Sequence, residues 1–221
     1  MARLPRSFYR RRTLEVAPDL LGKVLVHRSS AGLTSGIIVE VEAYVGESDP
    51  ACHAAPGRTK RNAPLYGPPG FSYVYLNYGV HYLVNVVTEP EGSPAGVLIR
   101  AVEPLEGIPL MRRRRMRQRT ARHHNRRARL SDHALCKGPG NVTHAMGITL
   151  KDNHIDLLGD KLYIEDRGHR IDDVSWSPRV GITVGTERHW RCFVEGHISV
   201  SGKLQKDHED AKGTKARRAK L

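Results

Sequence analysis

The stretch 33–45, LTSGIIVEVEAYV, constrains the fold of this chain more than any other. From Ile37 onward it alternates, which is the period of an extended strand and not of a helix. Strict alternation puts Glu40, Glu42 and Tyr44 on one face and Ile37, Val39, Val41 and Ala43 on the other. Around it stand other strand-like runs: 23–29, 71–76, 80–87, 96–104, 161–166 and 192–201, all with the β-branched and aromatic residues that strands favour. Helices are predicted over 14–22 and from 105 to about 118, running on into an arginine-rich segment. Another predicted element spans 130–140, with Ser131 as its N-cap and a break at Gly138-Pro139. The mixture predicts an α+β domain with a largely antiparallel sheet.

A chain of 221 residues suits one domain with a tail. At that size folding buries roughly 70 % of the unfolded surface, so neither a disulfide nor a metal is needed to hold a core. Apolar runs are too short to span a bilayer, and the N-terminus lacks the apolar stretch of a secretory signal. Three cysteines, Cys52, Cys136 and Cys192, have no paired spacing and read as reduced thiols.

The net charge of +13 is concentrated. Residues 112–129 hold ten arginines and no acid, and 203–221 carry a net +4, which leaves the other 184 residues at −1. This is the footprint expected of a polyanion binder. The arginine segment is expected to face phosphate, because ten like charges repel unless a partner screens them. The domain is expected over 1–202, with a basic, disordered tail over 203–221.

Glu42 lies beside a second carboxylate and an aromatic, a setting that suits a general base, although a charged solvent-facing strand carries the same pattern. In SYVYLNYGVHY four tyrosines fall in ten positions, Tyr73, Tyr75, Tyr78 and Tyr82. Tyr78 sits in a hairpin turn, where a projecting ring can wedge between base pairs from the minor groove or else fold back onto the sheet. The loop 46–70 is long enough to be functional or disordered. Twelve histidines are present without zinc-site spacing, so no metal is expected. No nucleophile elbow occurs, and the stretch GPGNVTHAMG, read as a loop, matches no nucleotide-binding fingerprint.

On these residues the sequence resembles the alkyladenine DNA glycosylases, the mammalian-type 3-methyladenine DNA glycosylases. The matching segments are LLGKVLVHR, GIIVEVEAYVGESDPACHA, PGFSYVYLNYGVHYLVNV, GVLIRAVEPLEG, LCKGPGNVTHAMGI and SPRVGI, in order from about Leu20 to Ser201. The resemblance implies a single domain on a curved, largely antiparallel sheet, with a protruding β-hairpin and surrounding helices. It implies that Glu42 activates water for attack on the sugar C1′. Arg100 and the Val180 carbonyl would help to hold that water. Tyr44, His53 and Tyr75 would stack around a flipped base, Asn85 would discourage normal guanine, and Tyr78 would fill the gap in the duplex. The basic segment and the residues Asn77, Val80, His81, Ala63, Pro64 and Leu65 depart from the family's pattern.

The implied reaction is base-excision repair: an alkylated or deaminated purine is flipped from double-stranded DNA and its N-glycosidic bond hydrolysed, leaving an abasic site. Cleavage passes through a sugar cation that a carboxylate can stabilise. No amine nucleophile is identified, so a monofunctional enzyme without lyase activity is expected, with no cofactor. It is expected to act as a monomer from the minor-groove side of DNA, without a membrane, in the cytoplasm of a bacterium or the nucleus of a eukaryote. Two rivals remain: a non-catalytic nucleic-acid-binding module, which leaves Glu42 and Arg100 unexplained, and a hydrolase of free nucleosides, which needs no wedge at Tyr78.

Overall fold

In the computed structural model, which describes residues 2–122 and 130–202, the alternating stretch is the centre of the sheet. The elements run β1 (Ala2–Arg3), α1 (Arg6–Tyr9), α2 (Thr13–Asp19), β2 (Val24–Ser29), β3 (Gly32–Val45), β4 (Ser72–Asn77), β5 (His81–Val87) and β6 (Ala95–Glu106). Then follow α3 (Ile108–Arg122), α4 (Pro139–Met146), β7 (Leu162–Asp166), β8 (Val174–Ser177) and β9 (Arg191–Val194). The order across the sheet is β1-β7-β2-β3-β6-β5-β4, and every pairing is antiparallel. This is the expected α+β domain on a curved antiparallel sheet.

Strand β3 organises the rest. One edge pairs with β6 along most of its length. The other edge pairs with β2 up to Ile37 and with β9 from Glu40 to Glu42, so the sheet forks there. At the same place the register with β6 shifts twice: Ile38 faces Val102, Glu40 faces Ala101 and Val41 faces Ile99. Val39 is the extra residue on β3 and Arg100 the extra residue on β6. Bulges of this kind bend a strand and re-aim side chains. They also change the phase of burial. Ile38, Val41 and Ala43 enter the main core, whereas Val39 packs with Ala101 and Val200 in a separate small cluster. The expectation that Ile37, Val39, Val41 and Ala43 share one face is therefore corrected: the alternation breaks at the bulge.

Two further expectations are corrected. GPGNVTHAMG is mostly helix, not loop. Pro139 occupies the first helical position, where its missing N–H costs nothing, and Gly147 at φ 78° ends α4 by donating to the Thr143 carbonyl. Ser131 precedes a short 3-10 turn, Asp132–Ala134, without a side-chain cap. Strand β9 stops at Val194 because the chain turns at Gly196, φ 68°. Helix α2 packs on β3 and β6, α4 on β5 and β6, and α3 on α4. The main core lies between these helices and the sheet.

The arginine segment divides. Arg112 bonds Asp132 and the Leu130 carbonyl, Arg114 donates to the Ala145 carbonyl at 3.1 Å and to Ser29 Oγ at 3.1 Å, and Arg115 is buried. These three serve the fold, which corrects the reading of the whole segment as phosphate-facing. Arg113 and Arg117 are exposed. Residues 123–129 and the tail 203–221 lie outside the described residues. No helix among the described residues is long and apolar enough to cross a membrane.

Candidate active site

A cavity of about 370 Å³ opens between the β4–β5 hairpin, the ends of β3 and β6, the loop after Gly46 and the segment after β8. Seven of the eight residues expected at the site line it: Tyr44, His53, Tyr75, Tyr78, Asn85, Arg100 and Val180. The eighth, Glu42, lies one layer behind, fully buried, in contact with three of the lining residues.

The aromatic wall follows from strand periodicity. Tyr73 and Tyr75 are two apart on β4, share a face and stack with centroids 5.2 Å apart. His53, from the long loop, meets Tyr75 edge-on at 4.4 Å, and its Nδ1 lies 2.9 Å from the Tyr73 hydroxyl. Burial, then the positive charge of Arg61, lowers the pKa of His53 and favours its neutral ring. Asn85 donates to the Tyr73 carbonyl at 3.1 Å, which fixes its amide against the cavity wall. Cys52 also lines the cavity, its thiol pushed up to about 11 by burial.

Tyr78 is the tip of the hairpin and is 87 % exposed. Its φ is 48° and that of Gly79 is 68°, with the Val80 N–H returning to the Asn77 carbonyl at 3.0 Å. Two successive residues at positive φ make the turn that suits the twist of a two-stranded ribbon. A glycine would satisfy the first position without strain; a tyrosine there is held at a conformational cost. Leu76 and Val80 are exposed beside it.

The carboxylate wall is built differently. Glu42 Oε1 accepts the Val180 N–H at 2.7 Å and lies 3.2 Å from Arg100 Nη1. Its Oε2 accepts the Tyr44 hydroxyl at 2.8 Å. Burial, and next the Glu42 charge, push the Tyr44 hydroxyl far above its ordinary range, so it stays protonated and donates. Arg179 is the residue that sequence reasoning missed here. It is buried and bonds Asp49 through both terminal nitrogens, at 2.5 and 2.8 Å, and the Ala43 carbonyl at 3.0 Å. Its guanidinium also lies 4.6 Å from the Tyr44 ring centroid. Burial opposes the charge on Asp49, but Arg179 outweighs it and lowers the Asp49 pKa. This clamp seats the neighbouring Val180 amide on Glu42. Both partners fall inside segments that resemble the family, GESDPACHA and SPRVGI, but nothing in either sequence says that they meet.

Rings on one side and a buried, hydrogen-bonded carboxylate behind the other make a pocket suited to a flat heterocycle with a hydrolytic group at its edge. The comparisons with known proteins agree with this class. The family model for methylpurine-DNA glycosylase matches residues 7–198. A "Putative 3-methyladenine DNA glycosylase" of Chlorobium phaeobacteroides is 46 % identical over 208 residues, covering 92 % of this chain and 97 % of its own. Proteins with the same name from Burkholderia lata and Methanocella arvoryzae are each 44 % identical, the first covering 90 % of this chain and 91 % of its own, the second 92 % and 98 %. The chain therefore belongs to the methylpurine-DNA glycosylase family. It is a DNA glycosylase of base-excision repair, and the reading as a non-catalytic binding module is not favoured.

Proposed function

We propose that the protein removes alkylated purines, 3-methyladenine among them, and deaminated purines from duplex DNA, with Glu42 activating the attacking water. The observation that carries this reading is the buried Glu42 carboxylate, held by Val180, Arg100 and Tyr44 directly behind an aromatic cavity. An alkylated purine already carries positive charge, so it leaves readily as a neutral base and is attracted to tyrosine faces by roughly 0.5–2 kcal/mol; a neutral deaminated base takes a proton through water as it leaves. It stacks between Tyr44 and the His53–Tyr75 wall, and Asn85 opposes the amino group of normal guanine. The Tyr44 hydroxyl gives up Oε2, and water takes its place. The carboxylate then stabilises the sugar cation and removes the proton from water. Arg100 and the main chain at Val180 hold that water.

The enzyme approaches as a monomer from the minor groove, and Tyr78 fills the gap left by the flipped base. Flipping costs a few kcal/mol and costs least for a damaged, weakly paired base. No lysine lines the cavity among the described residues, which supports hydrolysis without an amine adduct and hence no strand cleavage. The test is a labelled duplex with a single hypoxanthine or ethenoadenine, incubated with wild type or Glu42→Gln and then treated with alkali. A denaturing gel is expected to show a cleaved band with wild type and a loss on the order of 10²–10⁴-fold with the variant. Methylated DNA, assayed for free 3-methyladenine, tests the substrate class. A nick without alkali overturns the monofunctional reading, and full activity of Glu42→Gln overturns the role of Glu42.

A further inference from the structure

Glu40 lies two residues before Glu42, is fully buried, and does not line the cavity. Nothing in the hydrolysis described above uses it. Burying a second carboxylate next to the first is costly unless it is fully paired. Here it is: Oε1 accepts Arg100 Nε at 2.8 Å, Arg191 Nε at 2.8 Å and the Ser201 hydroxyl at 2.8 Å, and Oε2 accepts the Ser201 N–H at 2.6 Å. The third nitrogen of Arg100, Nη2, donates to Ser201 Oγ at 3.1 Å. Arg100 thus has Nε and Nη2 tied back, and Nη1 aimed at Glu42. The paired bulges produce this arrangement, since Arg100 is the extra residue on β6 and Glu40 follows the extra residue on β3.

We propose that Glu40 is a positioning residue for base excision, which aims Arg100 at Glu42 and shares its charge between the two carboxylates. The inference rests on the reading of Glu42 as the base. Without Glu40, Arg100 loses its Nε anchor and either turns away from Glu42 or pairs with it alone, and either outcome misplaces the group that holds the water. Burial opposes ionisation of Glu40, but Arg100, Arg191 and the Ser201 amide outweigh it and keep its pKa low, so its negative charge is present throughout the working range. The charged and titratable groups around Glu42 are Glu40 and Tyr44 on β3, Arg100 on β6, Tyr75 on β4, Arg191 on β9, and Arg179 after β8. Among them, Glu40 is the one that repels the Glu42 charge while holding its arginine.

The experiment measures single-turnover excision of hypoxanthine from a duplex against pH, and equilibrium binding of the same duplex, for wild type, Glu42→Gln, Glu40→Gln and Glu40→Asp. Glu40→Gln is expected to slow excision at least tenfold, to leave lesion binding within twofold, and to displace the acid limb of the profile. Glu40→Asp keeps the charge, so its acid limb is expected to coincide with wild type and its rate to recover in part. A Glu40→Gln enzyme with the wild-type rate and an unmoved limb overturns the inference, as does equal loss of binding and rate. If Glu40→Gln does not fold, Ser201→Ala removes one of the two anchors of Arg100, the Nη2 bond to the hydroxyl that Glu40 holds, while sparing all charges. It is expected to slow excision without moving the limb, and an unchanged rate overturns the proposal. Full activity of Glu42→Gln is a different result: it overturns the role of Glu42 itself.

Discussion

The two walls of the cavity are held in opposite ways. The carboxylate wall is made of charges from β3, β6, β9 and two loops, buried or nearly so and each ion-paired to a named partner. The aromatic wall is made of rings from one hairpin and one loop, held by stacking and a few hydrogen bonds, and it ends in a tyrosine at positive φ in open solvent. Buried charge fixes direction: each bond satisfies one group and leaves few alternatives. Ring packing fixes a slot but tolerates sliding. A reaction that needs a water aimed at one atom suits the first wall. A family of damaged bases with similar shapes suits the second.

Substitutions can break this contrast at either wall. The largest effect is expected at Glu42→Gln, where excision falls on the order of 10²–10⁴-fold in a single-turnover gel assay. Next comes Asp49→Asn, which leaves the buried Arg179 with a neutral partner. Breaking such a pair is expected to cost about 3–5 kcal/mol, read as a lower midpoint in urea, and excision is expected to fall as the Val180 amide moves off Glu42. An unchanged midpoint would mean that the clamp adds no stability. Tyr78→Gly separates fold from function on the other wall. Relief of the positive φ is expected to stabilise the hairpin by roughly 0.5–1 kcal/mol. Lesion excision is expected to fall about tenfold, because the gap in the duplex stays empty and the few kcal/mol of flipping is less well offset. If both stability and excision fall, Tyr78 has a structural role instead.

The smallest effect concerns pH. His53 has its pKa lowered in the folded state, so the unfolded chain takes up its proton first as pH falls. Stability from this group is full above its unfolded value, about 6.5, and is lost as pH falls from there through the folded pKa. His53→Asn is expected to flatten that part of the stability profile, measured by urea unfolding between pH 7 and 5. An unaltered slope would show that His53 takes up its proton equally in both states.

Much of this could be read along the chain. Strand β3 was expected over 33–45 and spans Gly32–Val45, and the hairpin strands differ from expectation by a residue or so at each end. These elements depend on local alternation and turn chemistry, which the sequence carries directly. Helix α4 was missed, although Pro139 and Gly147 mark its two ends, because glycine-rich composition obscured a two-turn helix whose apolar side is buried only on contact with β5 and β6. Site residues with a motif around them, such as Tyr44, His53 and Asn85, were legible through resemblance. Arg179, Asp49 and Ser201 were not, since the bonds that bring them to the site span the chain: Arg179 lies 130 residues from Asp49, and Ser201 lies 161 residues from Glu40 and 101 from Arg100.

By itself the sequence determined the strand period, the tyrosine at a turn, the distribution of charge and the family. Only the tertiary structure decided where the alternation breaks. A bulge on β3 has meaning only against the bulge on β6, and the match between Val39 and Arg100 is a property of two strands, not of either one. That match places Glu40, Glu42 and Arg100 together in a buried setting where charges must be paired. Periodicity alone leaves the same carboxylates facing water.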